Sequence, residues 1–399
     1  MKKSFYGFAR FLSVVCVLFS ALAASHAASK NYLLYVGTYT NTGSKGIYVY
    51  RYDAKSDKVV PLGLAAETVS PSFLATAPGH KFLYAVNEVS DYKGEPSGGV
   101  TAFAIDRQTG KLKQLNEVAS RGADPCYIAL DKSGKYVLVA NYNGGNVAAF
   151  PLSADGHIGE ASSVVQDEGA VGPNKERQEK AHAHWIEASA RNRFAYVADL
   201  ALDRVLIYNF DASKGMLSRG ETSMAAGSPD DRDFFSATLA PGSGPRHVAF
   251  SGDGNFMYAL GELDSTVTVF SNDAKETYRS IQKISALPPG LPGKNDAAEI
   301  AIHPGGKFLY TSNRGDDSIA VFAIDQSTGK LSFVERVPSG GKTPRNFAVD
   351  PQGTHLLVAN QDSGTIVEFR IDPATGKLTA LGEVARGPSP VCLVFVEQD

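Results

Sequence analysis

Apolar residues along this chain fall into short runs that recur, with no helical stripe among them. One short apolar run leads into a turn rich in Gly and Asp. A second follows and ends in a small polar residue, and an alternating segment comes after it. The first runs are SFLATAP from Ser72, CYIALDK from Cys126, HWIEASA from His184, RHVAFSG from Arg246, AEIAIHP from Ala298, RNFAVDP from Arg345 and VCLVFVE from Val391. The second runs are FLYAVNE, YVLVANY, AYVADLA, MYALGEL, LYTSNRG and LLVANQD. Their nearly continuous apolar character is that of strands covered on both faces. Thr-Gly-Lys-Leu turns at Thr109, Thr328 and Thr375 supply a hairpin signal at one position of the repeat.

Seven first strands thus face six second strands, and the deficit is made up at the other end of the chain. There LLYVGTYT, GIYVYRYD and VVPLGLAAE read as second, third and fourth strands with no first strand before them. A ring in which the C-terminal strand completes the N-terminal blade resolves the mismatch and leaves no exposed sheet edge. The expected fold is therefore all-β: a seven-bladed β-propeller with four antiparallel strands per blade, closed by the C-terminal first strand.

Composition narrows the setting. The 399 residues hold 39 Lys and Arg against 42 Asp and Glu, a formal charge of -3, which gives no polybasic surface for nucleic acid. Lys2, Lys3 and Arg10, the apolar run from Phe11 to Ala24, and the small residues Ser25 and Ala27 read as a cleaved secretory signal over 1–27. Residues 28–399 would then form one propeller domain, periplasmic or secreted, not membrane-bound after cleavage, and monomeric. Only Cys126 and Cys392 remain after cleavage, on strands two blades apart, so buried thiols are expected rather than a bridge.

In a propeller the first strands line the channel, and the ends of the second strands return to the same face. Aligning the blades puts His184, Arg246 and Arg345 at first-strand starts, and Glu262 and Arg314 just after second strands. Sister blades carry Ser, Cys, Ala, Val, Tyr or Leu at these sites, so the charged set is expected at one channel mouth, facing an anionic ligand. Flanking positions His247, Glu299, Asn346, Asp199 and Glu88 are expected to contact the substrate. The Asn that recurs after second strands reads as structural. In EKAHAHWIEA, His182 lies in the loop before His184; acid–base chemistry, ligand contact and a structural role all stay open for the pair. Metal ligation is disfavoured, because the neighbouring arginines repel a cation. Trp185 reads as a packing residue, and His80, His157, His303 and His355 as solvated turn residues. Long connections precede His184, Arg246 and Glu299 and belong to the charged face.

The phrases YVGTYT, SPSFLATAPGHKFLYAVNE, AHAHWIEASARNRFAYVADLALDRV, GPRHVAFSGDGNFMYALGEL and EIAIHPGGKFLYTSNRGDDSIAVF resemble the seven-bladed β-propeller lactonase family over nearly the whole mature chain. The resemblance implies a site with no metal or other cofactor that handles lactones of sugar acids or dicarboxylates, by hydrolysis or by cyclisation. It places catalytic roles on His182 or His184, Arg246, Glu262 and Arg314; Arg345 is expected among the substrate contacts from its first-strand position alone. Gly261 departs from the Asn of sister blades, while the adjacent Glu is kept. A rival expectation is a non-catalytic exported propeller that binds a partner protein or a glycan.

Overall fold

The structure is a computed structural model that describes Met1 and residues 31–398, except 54, 55, 57, 220–235, 273–277 and 292. The expected signal segment lies outside the described residues. Seven antiparallel sheets form, and the sheet order confirms the propeller and its closure. The C-terminal strand Pro390–Glu397 pairs with Asn31–Thr38, which continues to Gly46–Asp53 and Lys58–Glu67 as blade one. Blades two to seven follow in chain order, each with its first strand at the channel and its fourth at the rim. Blade four has an interrupted outer edge: Met216–Arg219 and Ser236–Thr238 both pair with Arg204–Asp211, at opposite ends.

Seven apolar clusters sit one between each pair of neighbouring blades. Leu34, Tyr52, Leu357 and Ala359 join blade one to blade seven, as Val86 and Val139 join blades two and three. Trp185, 1 % exposed, packs with Val248 and Phe270 of blade five, as its expected packing role requires. A second tie recurs at the turns. The hydroxyls of Tyr35, Tyr258 and Tyr310 donate to the carbonyls of Gly110, Gly329 and Gly376, the glycines of the Thr-Gly-Lys-Leu turns in the next blade. The recurrent Asn also has a structural role, though not within its own turn. Asn141 and Asn360 donate across to the carbonyls of Ser120 and Ser339 in the incoming connections.

Register explains how the channel is lined. Strand pairing slips between Pro125 and Tyr127, Ala183 and Trp185, Pro245 and His247, Pro344 and Asn346, and Ala297 and Ile300. The unpaired residues in the first four slips are Cys126, His184, Arg246 and Arg345. A bulge re-aims a side chain and frees it from the alternation of the strand. These four aligned first-strand starts are thus bulge residues, and His184, Arg246 and Arg345 among them belong to the expected charged set. Both cysteines are free and buried. His355 is not solvated as expected: it is 4 % exposed and bonded to Thr354.

Candidate active site

Glu262, at the end of the second strand of blade five, is the centre of the charged mouth and is 3 % exposed. Its Oε1 accepts from Arg177 Nη2 at 2.7 Å and lies 3.1 Å from Arg314 Nη2. Its Oε2 lies 3.2 Å from Arg246 Nε and 3.8 Å from His184 Nε2, and accepts no aligned hydrogen bond from the protein. One carboxylate therefore gathers three guanidiniums and an imidazole, and its Oε2 is left with no aligned hydrogen bond. Burial alone would raise its pKa, but Arg314, Arg246, His184 and Arg177 together hold it well below the usual carboxylate range.

The cations are fixed by other partners. Arg246 Nη1 donates to Ala298 O at 2.5 Å and to His247 Nε2 at 3.2 Å, and Arg314 donates to the carbonyls of Asp296 and Ala297. Burial, with Arg314 and Arg345 nearby, pushes Arg246 down to about 10, so it stays charged at neutral pH. Burial, then Arg246, push the His184 imidazole well below its ordinary 6.5, so it is neutral. Its Nδ1 faces Cys126 Sγ at 3.7 Å.

Arg177 went unmarked by the sequence because it lies in the irregular connection before blade four, where no repeat position exists. Its Nη1 also lies 3.5 Å from Asp296 Oδ1, and its Nη2 donates to the Tyr142 hydroxyl. Only the length of that connection pointed to the site.

The structure separates the expected histidines. His182 has both nitrogens engaged, Nδ1 with Tyr142 O and Nε2 with Glu179 Oε1, and its ring stacks on Tyr142 at 4.3 Å. It does not meet Glu262 and serves as a wall behind Tyr142. His247, Glu299 and Asn346 form a buried hydrogen-bonded chain that meets the mouth only through His247. His247 Nδ1 donates to Glu299 Oε1 at 2.9 Å, Asn346 Nδ2 donates to Glu299 Oε2 at 2.6 Å, and Asn346 Oδ1 accepts from Leu393 N. With both nitrogens in use, neutral His247 supports Arg246 from beneath. Asp199 is fully buried: Oδ1 accepts from Ala201 N and Leu202 N, and its carboxyl faces that of Asp167. Burial and Asp199 push Asp167 well above its usual range, so the pair shares a proton and offers substrate nothing.

Arg345 and Glu88 stand at the mouth. The Arg345 guanidinium lies over the Tyr39 ring, 5.2 Å from its centre, and forms no ion pair or hydrogen bond among the described residues. The Tyr39 hydroxyl donates to both Glu88 carboxylate oxygens at 2.9 Å.

A propeller whose channel mouth gathers a buried Glu, three Arg and a neutral His around one carboxylate defines the class as a propeller with a charged, polar site at the channel end. Residues 33–395 match the family model described as lactonase, 7-bladed beta-propeller. The chain is 35 % identical over 368 residues to a 6-phosphogluconolactonase of Bacillus subtilis, covering 92 % of this chain and 99 % of that protein. A second 6-phosphogluconolactonase, from Formosa agariphila, is 34 % identical over 322 residues, 79 % of this chain and 85 % of its own. The solved periplasmic gluconolactonase of Pseudomonas aeruginosa superposes with a TM-score of 0.84 at 34 % identity, covering 92 % of this chain and all of that one. This chain belongs to the seven-bladed β-propeller lactonase family.

Proposed function

We propose that this protein hydrolyses a sugar-acid lactone at the mouth of its channel, and the observation that carries this is Glu262. A buried carboxylate that ties down three guanidiniums and leaves one oxygen without an aligned hydrogen bond, 3.8 Å from a neutral imidazole nitrogen, suits attack of water on an ester carbonyl. Glu262 itself is a poor proton acceptor under so many positive charges. The neutral His184 is the general base, taking the proton of the attacking water at Nε2. Glu262 Oε2 then stabilises the imidazolium, as a carboxylate does beside a catalytic histidine.

Arg246 and Arg314 supply the positive edge against which the tetrahedral oxyanion develops. They are held in place beforehand by Ala298, His247, Asp296 and Ala297, so little reorganisation is needed as charge appears. The hydroxyl of the opened ring leaves with a proton returned from His184. Arg345 and Glu88 contact the distal part of the substrate. Export through the leader at 1–27, a periplasmic or secreted setting, a single mature domain over 28–399 and a monomeric state belong to the same proposal. The likeness to a periplasmic gluconolactonase supports that setting, and among the described residues no helix is long and apolar enough to cross a membrane.

Turnover of gluconolactone by the purified protein tests the reading. Glu262→Gln keeps the shape but removes the charge that holds the cluster, and Arg246→Ala removes a preorganised donor. Each should lower kcat by roughly 100-fold or more, with the circular dichroism spectrum unchanged. Rates undiminished in both folded variants would remove this mechanism.

A further inference from the structure

Most of the guanidiniums at the mouth are already paired within the protein. Arg177, Arg246 and Arg314 face the carboxylates of Glu262, Asp296 and, through His247, Glu299. The remaining guanidinium, Arg345, has no ion-pair partner, but Glu88 stands beside it, held by the same Tyr39 whose ring Arg345 covers. A sequence rich in arginine at the mouth suggests an anion site; in the folded site Arg177, Arg246 and Arg314 are already engaged by carboxylates, with Lys294 also on Asp296.

That pairing bears on the far end of the substrate. A phosphate ester carries between about 1.5 and 2 negative charges at neutral pH and is bound by an excess of guanidinium or ammonium groups. A carboxylate next to the one free guanidinium opposes it. The same pair suits a chain of hydroxyls. The two Glu88 oxygens share the single Tyr39 O–H and keep acceptor capacity for a substrate hydroxyl. The Arg345 guanidinium donates to hydroxyl oxygens from a fixed plane stacked on the ring. Tyr39 comes from the stretch just after the first N-terminal strand, and its backbone nitrogen donates to Ser389 O before the closing strand, so ring closure fixes its position.

We propose that Glu88, oriented by Tyr39, makes the Arg345 side of the mouth a polyol subsite that selects an unphosphorylated sugar-acid lactone over its phosphate ester. The selection rests on the lactonase reading above and adds to it the substrate class and Tyr39 as a specificity-determining residue. Glu88 acts on charge preference, so it governs the ratio of the two activities rather than the chemical step.

The test compares kcat/KM for gluconolactone and for its 6-phosphate, corrected for spontaneous hydrolysis, in the whole protein and in Glu88→Gln and Tyr39→Phe. The wild-type protein should prefer the unphosphorylated lactone. Glu88→Gln should shift the ratio toward the phosphate ester by roughly tenfold, as expected when one like charge is removed from a partly buried site. Tyr39→Phe, which keeps the carboxylate but frees it, should shift the ratio the same way by less, and decides the matter if Glu88→Gln does not fold. A wild-type preference for the phosphate ester, or an unmoved ratio in folded variants, overturns the subsite while leaving hydrolysis intact. Turnover of neither lactone overturns both.

Discussion

His184 and Glu262 are both held in the form that carries fewer protons, for opposite electrostatic reasons. The imidazole is kept neutral by burial and by Arg246, and the carboxylate is kept ionised by the guanidiniums around it. The folded protein therefore binds fewer protons than the unfolded chain below the ordinary histidine value of 6.5, and stability from these two groups is lost as pH falls. The same shift moves the activity profile. The acid limb of kcat/KM should lie well below 6.5, because the base stays unprotonated down to its lowered pKa. A limb centred near 6.5 would show an ordinary imidazole and contradict the burial that sets its role. The sequence pointed to His184 by its repeat position. It left His182 in the running because two histidines so close in sequence look alike until the bulge turns one inward and Tyr142 covers the other.

At the scale of strands and turns, the bulges and the glycine turns decide what points where. Alignment put Arg246, Arg345 and His184 at equivalent positions because their blades share the bulge. It misjudged the neighbours His247, Glu299 and Asn346, which face one another within the channel and satisfy one another there. Asp199 was misjudged for a similar reason: its turn uses one oxygen and Asp167 the other side of the carboxyl. Arg177 escaped notice because loops carry no period. The turns allow a controlled test of the ties between blades. Gly329 and Gly254 both have positive φ, 69° and 73°. A Cβ on Gly329 would fall 2.2 Å from the ring of Phe256 in the preceding blade, whereas one on Gly254 would meet nothing within 4 Å. Gly254→Ala should cost about 1 kcal/mol for the left-handed backbone alone, and Gly329→Ala roughly 2–4 kcal/mol, since packing between blades must also give way. Denaturant unfolding measures both; equal losses would mean that the turn does not bear on its neighbour.

Over the whole molecule, the fold was legible because counting strands forced closure, and closure is what brings distant residues together. Glu262 in blade five meets His184 from blade four, Arg314 from blade six and Arg177 from the connection before blade four. The closing strand Pro390–Glu397 also fixes Tyr39 and, through Leu393, Asn346. What the sequence could not show was the charge pairing, because the partner of each guanidinium depends on side-chain directions that repeat positions do not encode. The central claim is that these residues act as one unit through Glu262. A double-mutant cycle on kcat/KM for gluconolactone, with Glu262→Gln, Arg314→Ala and both together, tests it most directly. Coupled residues should be strongly non-additive, the double variant losing little more than the worse single one. If instead the two losses multiply in full while all variants stay folded, Glu262 and Arg314 work independently and the mouth is not a single catalytic unit.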